Sequence, residues 1–343
     1  MFIYLFLFFI ILISMRYEKQ NKINCADIII LVLMITISGF RDRIGTDYNM
    51  YKSFYFYPTQ STAQKVEYGF IKLINISQNL FGDKYYLFFF FCSIITIVPI
   101  YWIFKKKSNH PIFSILLFVC LGFYTLTFNM IRQCIAMAIV FYALRYIEER
   151  RLVKYCIAIA IAYLFHITSL IVLPMYFFAN LNINKKHLKK FFFILLFTGA
   201  LFNPIFNYIV NNIPQYEMYK IYDNIDAGIG TYLVNSIYLL MIWFVLSKKE
   251  FMVKNKFQEI CLNISIISVP MIIFSFKNVL FARMIYYFFI PLLIPFANIL
   301  DFFRIKNTQY IFNIVFCILL LIIFILNIIL FNGVYPYQSV KIV

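Results

Sequence analysis

The sequence predicts an all-α polytopic membrane protein of about 12 transmembrane helices, folded as one integral-membrane domain over 1–343. Three observations predict it. Of the 343 residues, 63% are hydrophobic and only 13% charged, where a soluble domain carries about 45–50% apolar and about 25% charged residues. Apolar runs of roughly the length that crosses a bilayer recur along the whole chain. Lys and Arg gather at alternate ends of those runs, in 16–24, 105–107, 145–154, 185–190, 248–256 and 304–306, which is the positive-inside pattern. The net charge of +17 therefore belongs to helix flanks, and no nucleic-acid partner is implied.

Each element follows in order. Residues 1–15 lack a basic n-region and an A-x-A cleavage site, so they read as a short first span and not as a signal peptide. A second span covers 25–40. The segment 41–84 is a long external loop in which Val66, Phe70, Leu73, Ile74, Leu80 and Phe81 recur at helical spacing, as in an amphipathic helix lying in the interface. Spans follow at 85–104, 111–128 and 129–147. The stretch 155–180 is flanked by basic runs at both ends, so it must cross an even number of times, with a turn near His166. Further spans are expected at 191–212, 232–246, 257–276, 278–300 and 310–331, with a minor external loop at 213–231. The alternation puts both termini outside the cytoplasm.

Seven cysteines (Cys25, Cys92, Cys120, Cys134, Cys156, Cys261, Cys317) stand singly in or beside apolar runs. None has CxxC or metal-ligand spacing, so they read as small buried residues. No metal and no cofactor is expected.

Against the positive-inside trend, Arg41, Arg43, Arg132 and Arg283 fall on the outer side, together with Asp47, Glu67 and His166. Each has an ordinary explanation. Arg41 and Arg43 can snorkel to the interface. Arg132, about one turn inside its helix, can pair with Asp42 or Asp47. Arg283 with Tyr286 and Tyr287 fits an interfacial aromatic belt. His166 fits a packing histidine, and Glu67 a cap or a water-facing group. Their convergence on one face is the stronger signal. A planar guanidinium grips phosphate through paired donors, so arginines at the outer leaflet, without a phosphate loop or nucleotide motif, point to an anionic lipid head group such as a lipid pyrophosphate.

These residues also carry a resemblance. Arg41-Asp42-Arg43-Ile44-Gly45-Thr46-Asp47-Tyr48 with Tyr51, then Glu67-Tyr68-Gly69-Phe70, Asn129-Met130-Ile131-Arg132-Gln133, Phe165-His166, and Arg283 with Tyr286-Tyr287 resemble the EpsG-type branch of the Wzy-like polysaccharide polymerases. The match runs over roughly residues 25–290, and the tail shows no distinguishing motif. The resemblance implies a multi-pass membrane glycosyltransferase in the bacterial cytoplasmic (inner) membrane. It would polymerise undecaprenyl-pyrophosphate-linked oligosaccharide repeats at the outer face, for exopolysaccharide, capsule or O-antigen. Arg132 and Arg283, with Arg41 or Arg43, are then expected to bind pyrophosphate, beside Gln133. Asp47 is the first expected proton acceptor, Glu67 the second and His166 a competitor. Tyr48, Tyr51, Tyr286 and Tyr287 are expected to stack on sugar rings. The partners implied are the lipid-linked saccharides, membrane lipids, a chain-length regulator and a separate flippase. Two alternatives remain open. A flippase would place its cations in a central cavity between related halves, and an O-antigen ligase would carry its large external loop late in the chain.

Overall fold

The structure is a computed structural model and describes residues 1–18, 24–59, 66–181, 208, 211, 229–275, 279–305, 309–331 and 333–340. Apart from positions 208 and 211, the expected span at 191–212 lies outside these residues, as do the basic run 185–190, Lys306 and nearly all of the loop 213–231. Among the described residues every regular element is a helix, and the single β-bridge joins Arg41 to Ser339.

The helices run α1 (Phe2–Ser14), α2 (Cys25–Gly39), α3 (Tyr48–Phe56), α4 (Tyr68–Phe81), α5 (Tyr85–Lys107), α6 (Pro111–Cys120), α7 (Phe123–Asn129), α8 (Ile131–Glu148) and α9 (Leu152–Tyr163). A 3-10 turn (Ile167–Val172) and α10 (Met175–Phe178) follow. Then come α11 (Ile229–Ser247), α12 (Lys249–Met252), α13 (Lys256–Ile267), α14 (Val269–Ser275), α15 (Val279–Phe296), α16 (Ile299–Ile305) and α17 (Gln309–Leu330). Local chemistry sets several boundaries. Asn24 and Asp27 form a reciprocal capping box at the start of α2, with bonds of 2.9 and 2.8 Å. Asn255 caps α13 by accepting from the Gln258 amide at 2.9 Å. Pro111 opens α6, where its missing N–H costs nothing.

Among the described residues, three helices are long and apolar enough to cross a membrane: 85–107, 281–304 and 311–330. α6 and α7, bent by 55°, make a fourth if taken as one span. Length and composition thus support up to four spans among the described residues, against the twelve expected. Other apolar helices are shorter, and some end where the chain turns. The stretch 155–180 shows this. α9 stops at Tyr163, the chain turns through His166, and the following arm folds back so that the Tyr155 hydroxyl donates to the Val172 carbonyl at 2.6 Å.

Cross-links sort the helix ends into two sets. At the end carrying the basic loops, Lys105 pairs with Asp27 at 2.9 Å, Lys107 with Glu148, and His110 with Asp301 at 3.1 Å. Gln258 donates to Asn109 there at 2.8 Å. At the opposite end lie loop 40–47, the start of α4, the start of α8, the turn at His166 and the start of α15. Among the described residues of the early loop, α3 forms as well as the amphipathic α4. Val66, Phe70, Leu73 and Ile74 are buried as expected, but Leu80 is 66% exposed and corrects the expected apolar face. The buried face of α4 ends one turn earlier, at Ser77.

Candidate functional site

The site is assembled by α4 docking its first turn onto the turn between α9 and the 3-10 segment. The Gly69 amide donates to the Leu164 carbonyl at 2.8 Å. A Cβ on Gly69 would stand 2.6 Å from that same oxygen, so only glycine lets the helix come this close. The approach delivers Glu67, the residue just before α4, into the turn. There its carboxylate meets His166 Nδ1 at 2.7 Å through one oxygen and Arg132 Nη1 at 2.5 Å through the other. The Ile167 amide adds a long bond of 3.4 Å.

Electrostatics give this junction a direction. Burial works against the Glu67 charge, but the hydrogen bond from His166 and the positive charge of Arg132 outweigh it and hold the carboxyl down at about 2. An ionised carboxylate only accepts hydrogen bonds. The 2.7 Å contact is therefore one that a protonated Nδ1 donates, and in that tautomer Nε2 is the acceptor atom of the ring. The Tyr51 hydroxyl, on α3, stands within hydrogen-bond reach of the Arg132 guanidinium, and burial pushes its pKa up to about 12 against the pull of that charge. The three charged or titratable side chains remain part-exposed, at 15% (Glu67), 23% (Arg132) and 21% (His166). Arg132 Nε is buried and has no partner among the described residues.

α15 closes one side. Gln133 Nε2 donates to the Arg283 carbonyl at 2.7 Å, which sets the second turn of α15 beside the first turn of α8. Arg283 itself is exposed. The Tyr287 hydroxyl lies 3.2 Å from that of Thr168, two residues after His166.

Several expectations are redrawn by this placement. Arg132 pairs with Glu67, not with Asp42 or Asp47. Arg41 does not face the outside: it is 1% exposed, with Nη2 donating to the Phe128 carbonyl at 3.0 Å, Nη1 to that of Ser38, and its guanidinium carbon 4.8 Å from the Phe89 ring centre. A cation so enclosed cannot reach a lipid head group. Arg43, by contrast, is exposed. Asp47 accepts from the Thr46 hydroxyl at 3.1 Å and stands one helical turn before Tyr51, outside the Glu67 junction. Gln133, 3% exposed, spends its amide on Arg283 and is not presented to a ligand. The rings of Tyr48, Tyr51 and Tyr287 are 1 to 2% exposed; Tyr48 stacks on Phe89 at 4.7 Å and Tyr51 lies edge-on to Phe70 at 5.5 Å. Tyr286 is half-buried with its ring edge-on to Phe123 at 5.9 Å. Sugar stacking on the three buried rings is thereby corrected. Sequence reasoning passes over Thr168; its place two residues after His166, on the far side of the helix break, is the available signal.

A model of one protein family matches residues 24–339 of the chain. The chain belongs to the EpsG family. No curated protein and no solved structure matches it. Membership in the EpsG family supports an exopolysaccharide polymerase-type role in a membrane. The matched region takes in loop 40–47, Glu67, Arg132, His166 and Arg283, and it extends through the last helix into the tail.

Proposed function

We propose that this EpsG-family chain is a glycosyltransferase that joins undecaprenyl-pyrophosphate-linked oligosaccharide repeats at the outer face of the bacterial cytoplasmic membrane, in a twelve-span arrangement. The observation that carries the reading is the Glu67 carboxylate bridging Arg132 and His166 at the end of the bundle away from the basic loops. Positive-inside bias makes that end external.

The geometry divides the labour. Glu67 keeps His166 in one tautomer and one orientation, and His166 Nε2 takes the proton of the attacking sugar hydroxyl. As the bond between the donor's anomeric carbon and its pyrophosphate breaks, charge grows on the leaving phosphate. Arg132, with the exposed Arg283 beside it, stabilises that charge. The products are a chain longer by one repeat and free undecaprenyl pyrophosphate. The acceptor proton rests on His166 until solvent removes it. Glu67, held down near 2, is too weak a base to serve directly and acts as the orienting anion. Asp47, outside the junction, binds the acceptor or lines its approach. The broken glycosyl–pyrophosphate bond supplies the driving force, so no nucleotide enters.

Purified protein in detergent, given lipid-linked repeat and no nucleotide, should produce a ladder of longer chains and release undecaprenyl pyrophosphate. A flippase has no task once the bilayer is gone. Folded protein that makes no ladder from its own cell's repeat would end the polymerase reading.

A further inference from the structure

Loop 40–47 carries the densest polar cluster in the apolar half of the chain, yet two of its residues pack inward, onto the helix break that launches Arg132. Arg41 Nη2 donates to the Phe128 carbonyl at 3.0 Å. Gly45, with a φ of +97°, packs so closely on this break that a Cβ would collide with Asn129 Oδ1 and stand 3.0 Å from the Phe128 oxygen. α7 ends at Asn129 and α8 begins at Ile131, with Met130 between them at φ −91° and ψ 56°. Arg132 is the second residue of α8. Whatever fixes residues 128–130 therefore fixes where Arg132 starts.

The loop is in turn held from behind by the end of the chain. The Asp42 amide donates to the Gln338 carbonyl at 2.9 Å, the Val340 amide to the Phe40 carbonyl at 2.9 Å, and the Gly45 amide to the Gly333 carbonyl at 3.0 Å. Two tyrosines pin the segment to the bundle. The Tyr4 hydroxyl donates to the Val334 carbonyl at 2.9 Å and the Tyr337 hydroxyl to that of Ile37 at 3.0 Å, with the two rings edge-on at 5.7 Å. Segments about 300 residues apart in the chain thus form one layer.

We propose that Arg41 and the segment 333–340 are positioning elements for Arg132: the tail braces loop 40–45, and the loop braces the break between α7 and α8. The catalytic part of this inference rests on the reading of Arg132 as a phosphate-binding group; the geometric part does not. Arg41 suits the task because its planar fork reaches two carbonyls at once while its faces stack on Phe89 and Phe128, at 4.8 and 5.1 Å. A lysine has neither the fork nor the flat face.

Hydrogen–deuterium exchange on the full chain in detergent reads the brace without reference to catalysis. Val340→Pro deletes one donor to the loop, and a chain ending at residue 331 deletes the whole segment. Both should speed exchange of the Met130 and Cys134 amides by about tenfold or more, with α13 at the basic end unchanged. Unchanged exchange at 128–134, or an equal rise in α13, overturns the brace. In turnover, Val340→Pro and Arg41→Lys should lower kcat for lipid-linked repeat with KM held, because a misplaced Arg132 loses its grip on the transition state first. Neither should cost anything further in an Arg132→Lys background; a loss of equal size in both backgrounds overturns the coupling. If even the unaltered chain makes no ladder, the polymerase reading falls, and the exchange result still decides the brace.

Discussion

Asp27 and Glu67 are each a carboxylate bridging two side chains, one at each end of the bundle, and they are built in opposite ways. Asp27 is 1% exposed and receives Lys105 Nζ on both oxygens at 2.9 Å and the Tyr101 hydroxyl at 2.9 Å. Lys105 and Tyr101 are buried with it. Glu67 is 15% exposed, and its two partners stay part-exposed with it, Arg132 at 23% and His166 at 21%. A sealed ion pair joins helices. An open one can meet a ligand. Location of charge in a membrane protein thus says little about role until its burial and its partners are known.

The comparison breaks most visibly in turnover. His166→Ala should lower the elongation rate by about 10²–10⁴-fold, the usual contribution of a positioned base, with the protein's thermal transition little moved. Asp27→Asn should do the reverse. A fall in rate for Asp27→Asn matching that of His166→Ala, measured per folded molecule, would erase the distinction.

Stability should separate the ends next. Asp27→Ala leaves Lys105 charged and buried without a partner, at a cost of about 3–5 kcal/mol. Replacing Asp27 and Lys105 together by apolar residues of similar volume should recover most of it. Chemical denaturation in detergent measures both, and failure of the double replacement to recover would mean the pair is not the isolated, sealed unit described.

A smaller effect tests the fork of Arg132. Charge-assisted hydrogen bonds are worth about 1.5–3 kcal/mol each, so Arg132→Lys, which keeps the charge and loses the planar pair of donors, should slow elongation by about ten- to a hundredfold. Near-normal ladders from Arg132→Lys would remove Arg132 from phosphate binding and leave it as a partner of Glu67 only.

The mildest probe is acid. Glu67 titrates below its ordinary 4.5, at about 2, because its partners favour the charged form. Its contribution to stability is therefore complete above about 4.5 and disappears as the pH falls through about 2. Arg132→Met should raise the midpoint of acid unfolding, since it removes one of the two groups that hold the carboxyl down. A midpoint that stays put would show that the His166 hydrogen bond alone governs Glu67.

Much of the architecture is legible in the order of the residues. Composition and the alternation of basic loops place helices in a bilayer, because transfer of side chains into hydrocarbon is a property each residue carries with it. Charge parity calls for a turn within 155–180, and the capping box at Asn24 is written in neighbouring residues. The junction cannot be read this way. Glu67 lies 65 residues from Arg132 and 99 from His166, and no local pattern states which helix ends will meet. Arg41 and Arg43 differ by two positions in one polar loop, yet one is enclosed among Phe89, Phe128 and two carbonyls while the other is exposed. The tail, featureless in sequence, docks mainly through backbone amides and carbonyls, which nearly every residue possesses. Sequence alone determined what each segment prefers as solvent. Tertiary packing decided which charges pair, because the energy of a buried charge depends on the distance to its partner and on the water left around it.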